Sequence, residues 1–343
     1  MVGDGLSATG AVFITGGRLT VTNQNMIVGS YSVGQMMVSN GVLLAQAVNV
    51  GNSTGSVGIL AIAGGSALVT SNLIAGVYSN ANGVVQLTGG NLTVTNQSAT
   101  GRLVVGQTGR GTFTQSGGES TVDQLLVTNG TNSVFNFSSG VFNTRSTAVS
   151  NMQTFVVGNG VGAATYHLLG GIHSFADGLR IRNNAVLSGC GTINGSVLVD
   201  VGGAVLTDCG GTLTFTGIVT NNGSWKADNG SVLESYGPLV NNGVINVIDG
   251  HTNFLAGFVN NGVVLTADNI PRIVSVSRVS SDVRINFTTF SNVRHTVEFT
   301  SNLVSQSWTP LFSFTGSGGI TNVTDPGAAV LPQRFYRVRL VVP

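Results

Sequence analysis

The stretch AVFITGGRLTVTN at residues 11–23 returns almost unchanged as VVQLTGGNLTVTN at residues 84–96. In both copies a glycine pair separates two short segments in which apolar and polar residues alternate. Alternation with a period of two is typical of β-strands with one buried face, and glycine favours the backbone conformations that tight corners need. Each copy therefore predicts two strands joined by a corner.

Weaker copies of the same pattern fill most of the chain. They centre on residues 40, 64, 117, 139 and 170, and a later variant, Asn-Asn-Gly, begins at residues 221, 241 and 260. Periods of about 20–30 residues favour a solenoid over a β-propeller, whose blades need about 40–45 residues. We therefore predict an all-β chain with almost no helix. Residues 1–269 are expected to form a parallel β-helix of about 11–12 coils, each stacked on its neighbours.

Pro271 interrupts this repeat, and a different pattern follows it. Six strand-like segments lie beyond it, at Arg272–Val279, Asp282–Phe287, His295–Thr300, Trp308–Phe314, Thr321–Thr324 and Phe335–Val341. Short strands separated by turn signals predict a small antiparallel β-sandwich over residues 270–343, of the immunoglobulin or fibronectin kind. Trp308 is the expected anchor of its core.

The composition excludes several classes of protein. The chain has 343 residues with 50 glycines, 8% charged residues and a net charge of +1. The glycines lack the three-residue period of collagen, and a mean hydropathy of +0.33 does not fit a disordered chain. Lys226 is the sole lysine, so the sequence offers no basic stripe for nucleic acid. No apolar run is long enough for a transmembrane helix.

Two parts of the chain resemble exported bacterial proteins. LSGCGTINGSVLVDVGGAVLT at residues 187–207 and GGTLTFTG at 210–217 resemble the strand repeats of autotransporter passengers and related β-helix proteins. HTVEFTSNL at 295–303 and RFYRVR at 334–339 resemble a fibronectin-type-III-like module that ends many large exported bacterial proteins. The resemblance implies that the β-helix is right-handed and extracellular or on the cell surface, and that it carries an accessory or sorting module. Residues 1–5 do not resemble a signal peptide, so we expect a mature or trimmed chain.

The scattered acidic residues include one candidate catalytic group. Asp208, Asp228 and Asp249 lie about one coil apart and are expected to stack along one edge. Paired carboxylates can hydrolyse glycosidic bonds or bind calcium. Each of the three lies near Asn or Gly, where Asp commonly serves as a turn residue. We interpret them as turn residues and predict no catalytic, cofactor-binding or metal-ligating residue.

The four histidines, His167, His173, His251 and His295, are isolated in the sequence. His167 and His173 flank a glycine pair and are placed to meet across a corner. A histidine pair without a cysteine or carboxylate is a weak metal site. We interpret all four as surface or corner residues.

Two further sets of residues recur at the spacing of one coil. Cys190 and Cys209 are expected on neighbouring coils, where a strand spacing of about 4.8 Å lies inside the Cα window for a disulfide. A bridge and a two-thiol ladder inside the core are both compatible with this spacing. The triplets predict a ladder of stacked asparagines, as in cross-β spines, and Asn-Gly is also a good corner pair. The ladder residues are Asn221, Asn222, Asn241, Asn242, Asn260 and Asn261.

The start of the repeat suggests a function. Residues 3–10 already resemble a coil and no amphipathic helix precedes them, so we expect an uncapped end. Unpaired strand edges are templates for another chain, and head-to-tail contacts that do not close form filaments. Our leading prediction is a non-enzymatic extracellular structural protein that binds copies of itself in a surface filament or matrix.

Two other functions remain open at this stage. The first is an adhesin or glycan-binding rod, for which the candidate aromatic residues are Tyr31, Tyr78, Trp225 and Tyr236. The second is a polysaccharide lyase or hydrolase. None of the three predictions requires a cofactor.

Overall fold

The structure is a computed structural model that describes residues 1–5, 7–268, 270–291, 293–304 and 307–341. Its first 27 strands build a parallel β-solenoid of about twelve coils. The first half comprises β1 Thr9–Ile14, β2 Arg18–Val28, β3 Val33–Val38, β4 Val42–Val50, β5 Val57–Ile62, β6 Ser66–Val69, β7 Asn72–Ala75, β8 Asn82–Leu87, β9 Asn91–Val94, β10 Arg102–Val105, β11 Arg110–Val127 and β12 Ser133–Val149. The second half comprises β13 Phe155–Val157, β14 Ala164–Phe175, β15 Leu179–Ile181, β16 Ala185–Asn194, β17 Val197–Val199, β18 Ala204–Thr207, β19 Thr212–Phe215, β20 Val219–Asn221, β21 Ser224–Ala227, β22 Val232–Ser235, β23 Leu239–Asn241, β24 Val244–Asn246, β25 His251–Phe254, β26 Phe258–Asn260 and β27 Val263–Leu265.

Each coil before the last contributes one strand segment to each of three faces. Face 1 starts with β1 and β3, face 2 with the first parts of β2 and β4, and face 3 with the last parts of β2 and β4. The longest strands, such as β11, pass through corners and contribute to all three faces. The last coil ends with β26 on face 1 and β27 on face 2. The predicted all-β parallel solenoid is confirmed.

The alternating pattern of the sequence becomes an inside and an outside. In β5, residues 58, 60 and 62 are buried and residues 57, 59 and 61 are partly exposed. Coils stack in register, so Val12, Met36 and Leu60 form one inward column on face 1. The middle of the core is aromatic, with stacked and edge-on contacts among Phe113, Phe135, Phe142, Phe155, Tyr166 and Phe175. Burial of such side chains dominates core energetics.

The glycine pairs form the corner between faces 1 and 2. Gly65 has φ +65° and Gly90 has φ +74°, a region that disfavours side chains. A Cβ atom on Gly90 would lie 2.4 Å from the carbonyl oxygen of Gly65 in the preceding coil. The backbone of one coil thus stacks directly on the backbone of the next at this corner. This close approach explains why glycine pairs recur in the sequence.

The chain after the solenoid forms two antiparallel three-stranded sheets, which we call the module. Its strands are β28 Ile273–Val279, β29 Asp282–Thr289, β30 Arg294–Thr300, β31 Thr309–Thr315, β32 Gly319–Asp325 and β33 Phe335–Val341. One sheet has the order β28-β29-β32 and the other β31-β30-β33. All six predicted strands are present. Helical structure among the described residues is limited to the short 3-10 turns Gly130–Asn132 and Ala328–Val330.

The core of the module differs from the prediction in one residue. The two sheets pack together through Ile285 and Phe287 from one side and Val297 from the other. Trp308 is half-buried, and the Arg337 guanidinium lies 4.3 Å from its ring centroid. The expectation that Trp308 anchors the core is therefore wrong. It precedes β31 rather than lying within a strand, so alternation does not direct it inward.

The module packs on the flank of the solenoid. Val263 and Leu265 point outward from face 2 in the last coil. They are nevertheless only 8% and 3% exposed. They form a cluster with Val293 and Leu340 of the module. Two coils earlier on the same face, the outward side chain of Lys226 is exposed. The module therefore covers the end of face 2 and leaves the coil of Lys226 uncovered.

Candidate functional site

The C-terminal end of the solenoid is the first candidate interaction surface. Because the module lies beside face 2, it does not cover the inward residues of the last coil on face 1. Phe258 is 38% exposed, whereas Leu239, its register partner in the coil before, is fully buried. The tilted rings of Phe254 and Phe258 contact each other with centroids 4.6 Å apart. Leu255 and the outward Val259 are also exposed. These side chains make this end apolar. In the described residues, its strands β25 and β26 each pair with a strand of the preceding coil and leave the other edge unpaired.

The opposite end presents a similar strand edge. In the first coil Val12 is half-buried, whereas its register partners Met36 and Leu60 are 1% and 0% exposed. On the side of this coil that faces away from the rest of the rod, the described residues form one isolated β-bridge, between Val2 and Val28 on face 3. The edge of β1 is therefore unpaired in the described structure.

Two asparagine ladders run along the last three coils. In the inner ladder, the Nδ2 amide of Asn221 donates to Oδ1 of Asn241 (2.8 Å), and that of Asn241 donates to Oδ1 of Asn260 (2.7 Å). In the outer ladder the donors point the other way, from Asn261 to Asn242 and from Asn242 to Asn222. Asn221 and Asn241 are fully buried. The triplets thus serve as corners and as a ladder at once.

Cys190 and Cys209 are paired as a disulfide, with Cα atoms 6.0 Å apart. Cys209 is exposed and Cys190 is half-buried. The pair therefore lies on the outside of the solenoid, which rules out the alternative of a thiol ladder inside the core. Neither cysteine lies in the regular part of a strand, where alternation would direct it inward. Cys209 falls in the turn before β19, and Cys190 is at an irregularity in the register of β16.

The three aspartates do not form a single column. Asp208 and Asp228 occupy equivalent positions in neighbouring coils, since the amide of Asp228 bonds the carbonyl of Thr207. Asp249 lies one position further on, and its carbonyl accepts from the amide of Gly230. The Asp228 carboxylate pairs with Lys226 at 2.6 Å. Among the described residues, no group of three or more His, Cys, Asp or Glu side chains is placed to bind a metal ion.

Two histidines are buried, contrary to the prediction. His173 is fully buried on face 3, while His167 on face 2 bonds Ser188 Oγ at 2.8 Å, so the two do not meet. His295 is fully buried in the module. Its Nε2 accepts from the amide of Phe290 (3.1 Å) and its Nδ1 contacts the carbonyl of Val293 (2.8 Å). Desolvation lowers the pKa of His295 below its ordinary value. His251 is exposed at the start of β25, as expected.

His173 belongs to a buried polar cluster inside the solenoid. Its Nε2 donates to the carbonyl of Gly170 (2.9 Å), so its Nδ1 accepts from Thr147 Oγ1 (3.0 Å). Thr147 in turn accepts from the Tyr166 hydroxyl at 2.6 Å. Desolvation lowers the pKa of His173 to about 4 and raises the pKa of Tyr166 above its ordinary value. The chain of bonds satisfies all three side chains while both rings stay neutral.

The aromatic residues proposed for glycan binding separate into two groups. Trp225 is fully buried and stacks on Phe215 with centroids 5.0 Å apart, so its expected place on an outer face is wrong. It lies between the outward Ser224 and Lys226, and alternation therefore directs it inward. Tyr31, Tyr78 and Tyr236 are 58%, 58% and 54% exposed.

Sequence reasoning missed the face on which the module packs. The signal was present in the outward column of face 2, where Ser224 is followed in register by Val244 and then Val263. A column that changes from polar to apolar at the end of a solenoid indicates that something covers it.

Comparison of the chain with models of protein families, with curated proteins and with solved structures finds no match. In the described part of the chain there is no helix long and apolar enough to cross a membrane.

Proposed function

We propose that this chain is a non-enzymatic structural subunit outside the cell that assembles end to end with copies of itself. The observation that carries the proposal is the apolar C-terminal end of the solenoid. The chain continues past this end into a folded module, yet the module packs on the flank and leaves Phe258 38% exposed. A soluble solenoid usually has a polar capping repeat at such an end.

The geometry of the coils supports this mode of assembly. Neighbouring coils pair in parallel and in register, so each end presents strand edges of the kind that pair inside the rod. Unpaired edges of this kind are templates for another strand. The two ends are different surfaces, and a contact between different surfaces is head-to-tail and produces an open filament.

The low charge of the chain supports the same proposal. With 8% charged residues and a net charge of +1, copies of the chain repel each other weakly. The extracellular location rests on the resemblance to exported β-helix proteins.

The test combines electron microscopy with sedimentation velocity over a range of protein concentrations. We expect filaments whose sedimentation increases with concentration, and we expect Phe258→Lys to stop their growth by placing a charge in the contact. The matched control is Ile218→Lys, which changes an apolar residue that is 59% exposed on the side of the rod. Thermal unfolding of each variant checks that the solenoid is intact. Monomers at every concentration, or growth of Phe258→Lys equal to that of the wild type, would refute the proposal.

A further inference from the structure

Tyr31 and Tyr78 lie on the same corner of the solenoid, where face 3 leads into face 1. The amide of Ser53 bonds the carbonyl of Ser30, that of Val77 bonds the carbonyl of Gly51, and that of Thr108 bonds the carbonyl of Val77. These three bonds align successive coils and place Tyr31, Ser53, Tyr78 and Thr108 in one column along the rod. The two tyrosines are therefore two coils apart, about 10 Å at the usual strand spacing. Each is 58% exposed, so both rings are available to a ligand.

A polar pocket of about 340 Å³ opens beside Tyr78. Its walls include Asn80, Asn82, Thr108, Arg110 and Asn132. Amide and hydroxyl groups of this kind both donate and accept hydrogen bonds, as the hydroxyls of a sugar require. The pocket thus presents groups that bind polyols, and its wall begins at Ser79, the residue after the exposed Tyr78.

The backbone around the pocket is held in place by hydrogen bonds. The carbonyl of Tyr78 accepts from the amide of Ala81 (3.0 Å), and the carbonyl of Ala81 accepts from the amide of Arg110 (2.8 Å). From the next coil, the Asn129 side chain donates to the carbonyl of Gly109 at 3.0 Å. A Cβ atom on Gly109 would lie 2.4 Å from the carbonyl oxygen of Tyr78, so the two loops are in direct contact. The pocket is therefore formed before any ligand arrives.

Arg110 supplies the charge of this corner. The segments that stack here, residues 27–34, 50–58, 75–83, 105–112 and 127–134, contain no acidic residue. None of the ion pairs among the described residues involves Arg110. Arg180 differs, since its guanidinium bonds both carboxylate oxygens of Asp200. An exposed guanidinium without a carboxylate partner, next to a formed polar pocket, favours an anionic ligand.

We infer that this corner binds an acidic polysaccharide that runs along the rod. Arg110 pairs with the carboxylate of a uronic acid through its planar fork of donors. Asn80, Asn82 and Asn132 bond the hydroxyls of the same sugar. Tyr78 and Tyr31 stack on the apolar faces of sugar rings, since an aromatic side chain combines an apolar face with a polar tip. The separation of about 10 Å between the two tyrosines suits two separate sugar rings of an extended polysaccharide.

Affinity electrophoresis in gels that contain polygalacturonate tests this inference, with dextran gels as the neutral comparison. We expect polygalacturonate to retard the wild-type chain and dextran to leave its mobility unchanged. Arg110→Gln is expected to weaken binding about tenfold or more, because a charge-assisted hydrogen-bonded pair is lost. Tyr78→Ala is expected to weaken it as well. Titration calorimetry with a galacturonate oligomer gives the affinities.

Two variants serve as matched controls. Arg18→Gln removes an exposed arginine from face 2, and Tyr236→Ala removes an exposed tyrosine about seven coils further along the same corner, away from the polar pocket. Both are expected to bind as the wild type does, which separates this site from a general effect of positive charge. No binding of polygalacturonate, equal retardation by dextran, or equal losses in Arg18→Gln and Arg110→Gln would overturn the inference. Circular dichroism confirms that each variant is folded. The result does not depend on whether the chain forms filaments.

Discussion

The Nδ2 amide of Asn241 donates to Oδ1 of Asn260 at 2.7 Å, while its own Oδ1 accepts from Asn221 in the coil on the other side. One side chain thus joins three consecutive coils near the open end of the rod. Asn221 and Asn241 are fully buried, so bulk water does not compete for these bonds in the folded chain.

Replacement of this residue is expected to be costly. Asn241→Ala removes the shorter of the two bonds of the buried Asn221 amide, which keeps only its 3.3 Å contact with the carbonyl of Val244, and an incompletely satisfied buried polar group costs about 1–3 kcal/mol. We expect a loss of about 2 kcal/mol or more in the free energy of unfolding, measured by urea denaturation. Asn242→Ala is the control, since it breaks the outer ladder, where Asn242 is exposed, and surface changes usually stay within about 0.5 kcal/mol. Equal losses in both variants would show that burial of the ladder has no effect.

The buried His173 is expected to make the solenoid sensitive to acid. Its pKa falls from 6.5 in the unfolded chain to about 4 in the folded one. Between these values the unfolded chain binds a proton that the folded chain does not, so stability decreases as the pH falls through this window. The full effect is about 3 kcal/mol by linkage, and it is absent at pH 7, where both forms are neutral.

Urea denaturation at pH 7 and pH 4.5 measures this dependence. His295 in the module also has a lowered pKa, so a variant is needed to assign the effect to the solenoid. His173→Gln is expected to be less stable at pH 7 but to lose less stability between the two pH values. A wild-type stability that is unchanged from pH 7 to pH 4.5 would contradict the prediction.

The architecture was predictable because each coil repeats one arrangement of residues. Alternation fixes which side chains point inward, and glycine pairs fix the corners, as Gly65 and Gly90 show with their positive φ angles. The same alternation also predicts that Trp225 is buried, because Trp225 lies between two outward residues. The error there was to count aromatic residues without assigning them to a side of the strand.

Other features depend on partners that are distant in the sequence. A buried histidine needs hydrogen-bond partners, and His173 obtains one from Thr147, 26 residues away in the preceding coil. The pocket beside Tyr78 likewise combines loops from three coils, with Asn80, Arg110 and Asn132 as members. Local sequence patterns do not show which loops stack, so neither feature was predicted.

The disulfide between Cys190 and Cys209 is expected to stabilise the middle of the rod. A bridge across 19 residues restricts the unfolded chain, and loops of this size give about 3 kcal/mol. The double variant Cys190→Ser/Cys209→Ser should lose about this amount in a urea titration without reductant. Mass spectrometry after alkylation without reductant checks the bridge directly. Modification of both thiols in the wild-type chain would contradict it.

The position of the module gives the last prediction. Leu265 is 3% exposed and belongs to the cluster that joins face 2 to Val293 and Leu340. Leu265→Asp places a charge in this apolar contact and is expected to release the module from the flank, because an unpaired buried charge is highly unfavourable. Limited proteolysis near Pro271 should then be faster, while thermal unfolding of the solenoid changes little. Leu206→Asp is the matched control, since Leu206 is an outward residue of the same face, three coils before Leu265, and lies outside the cluster. Equal rates of cleavage in both variants would mean that the contact with face 2 does not hold the module.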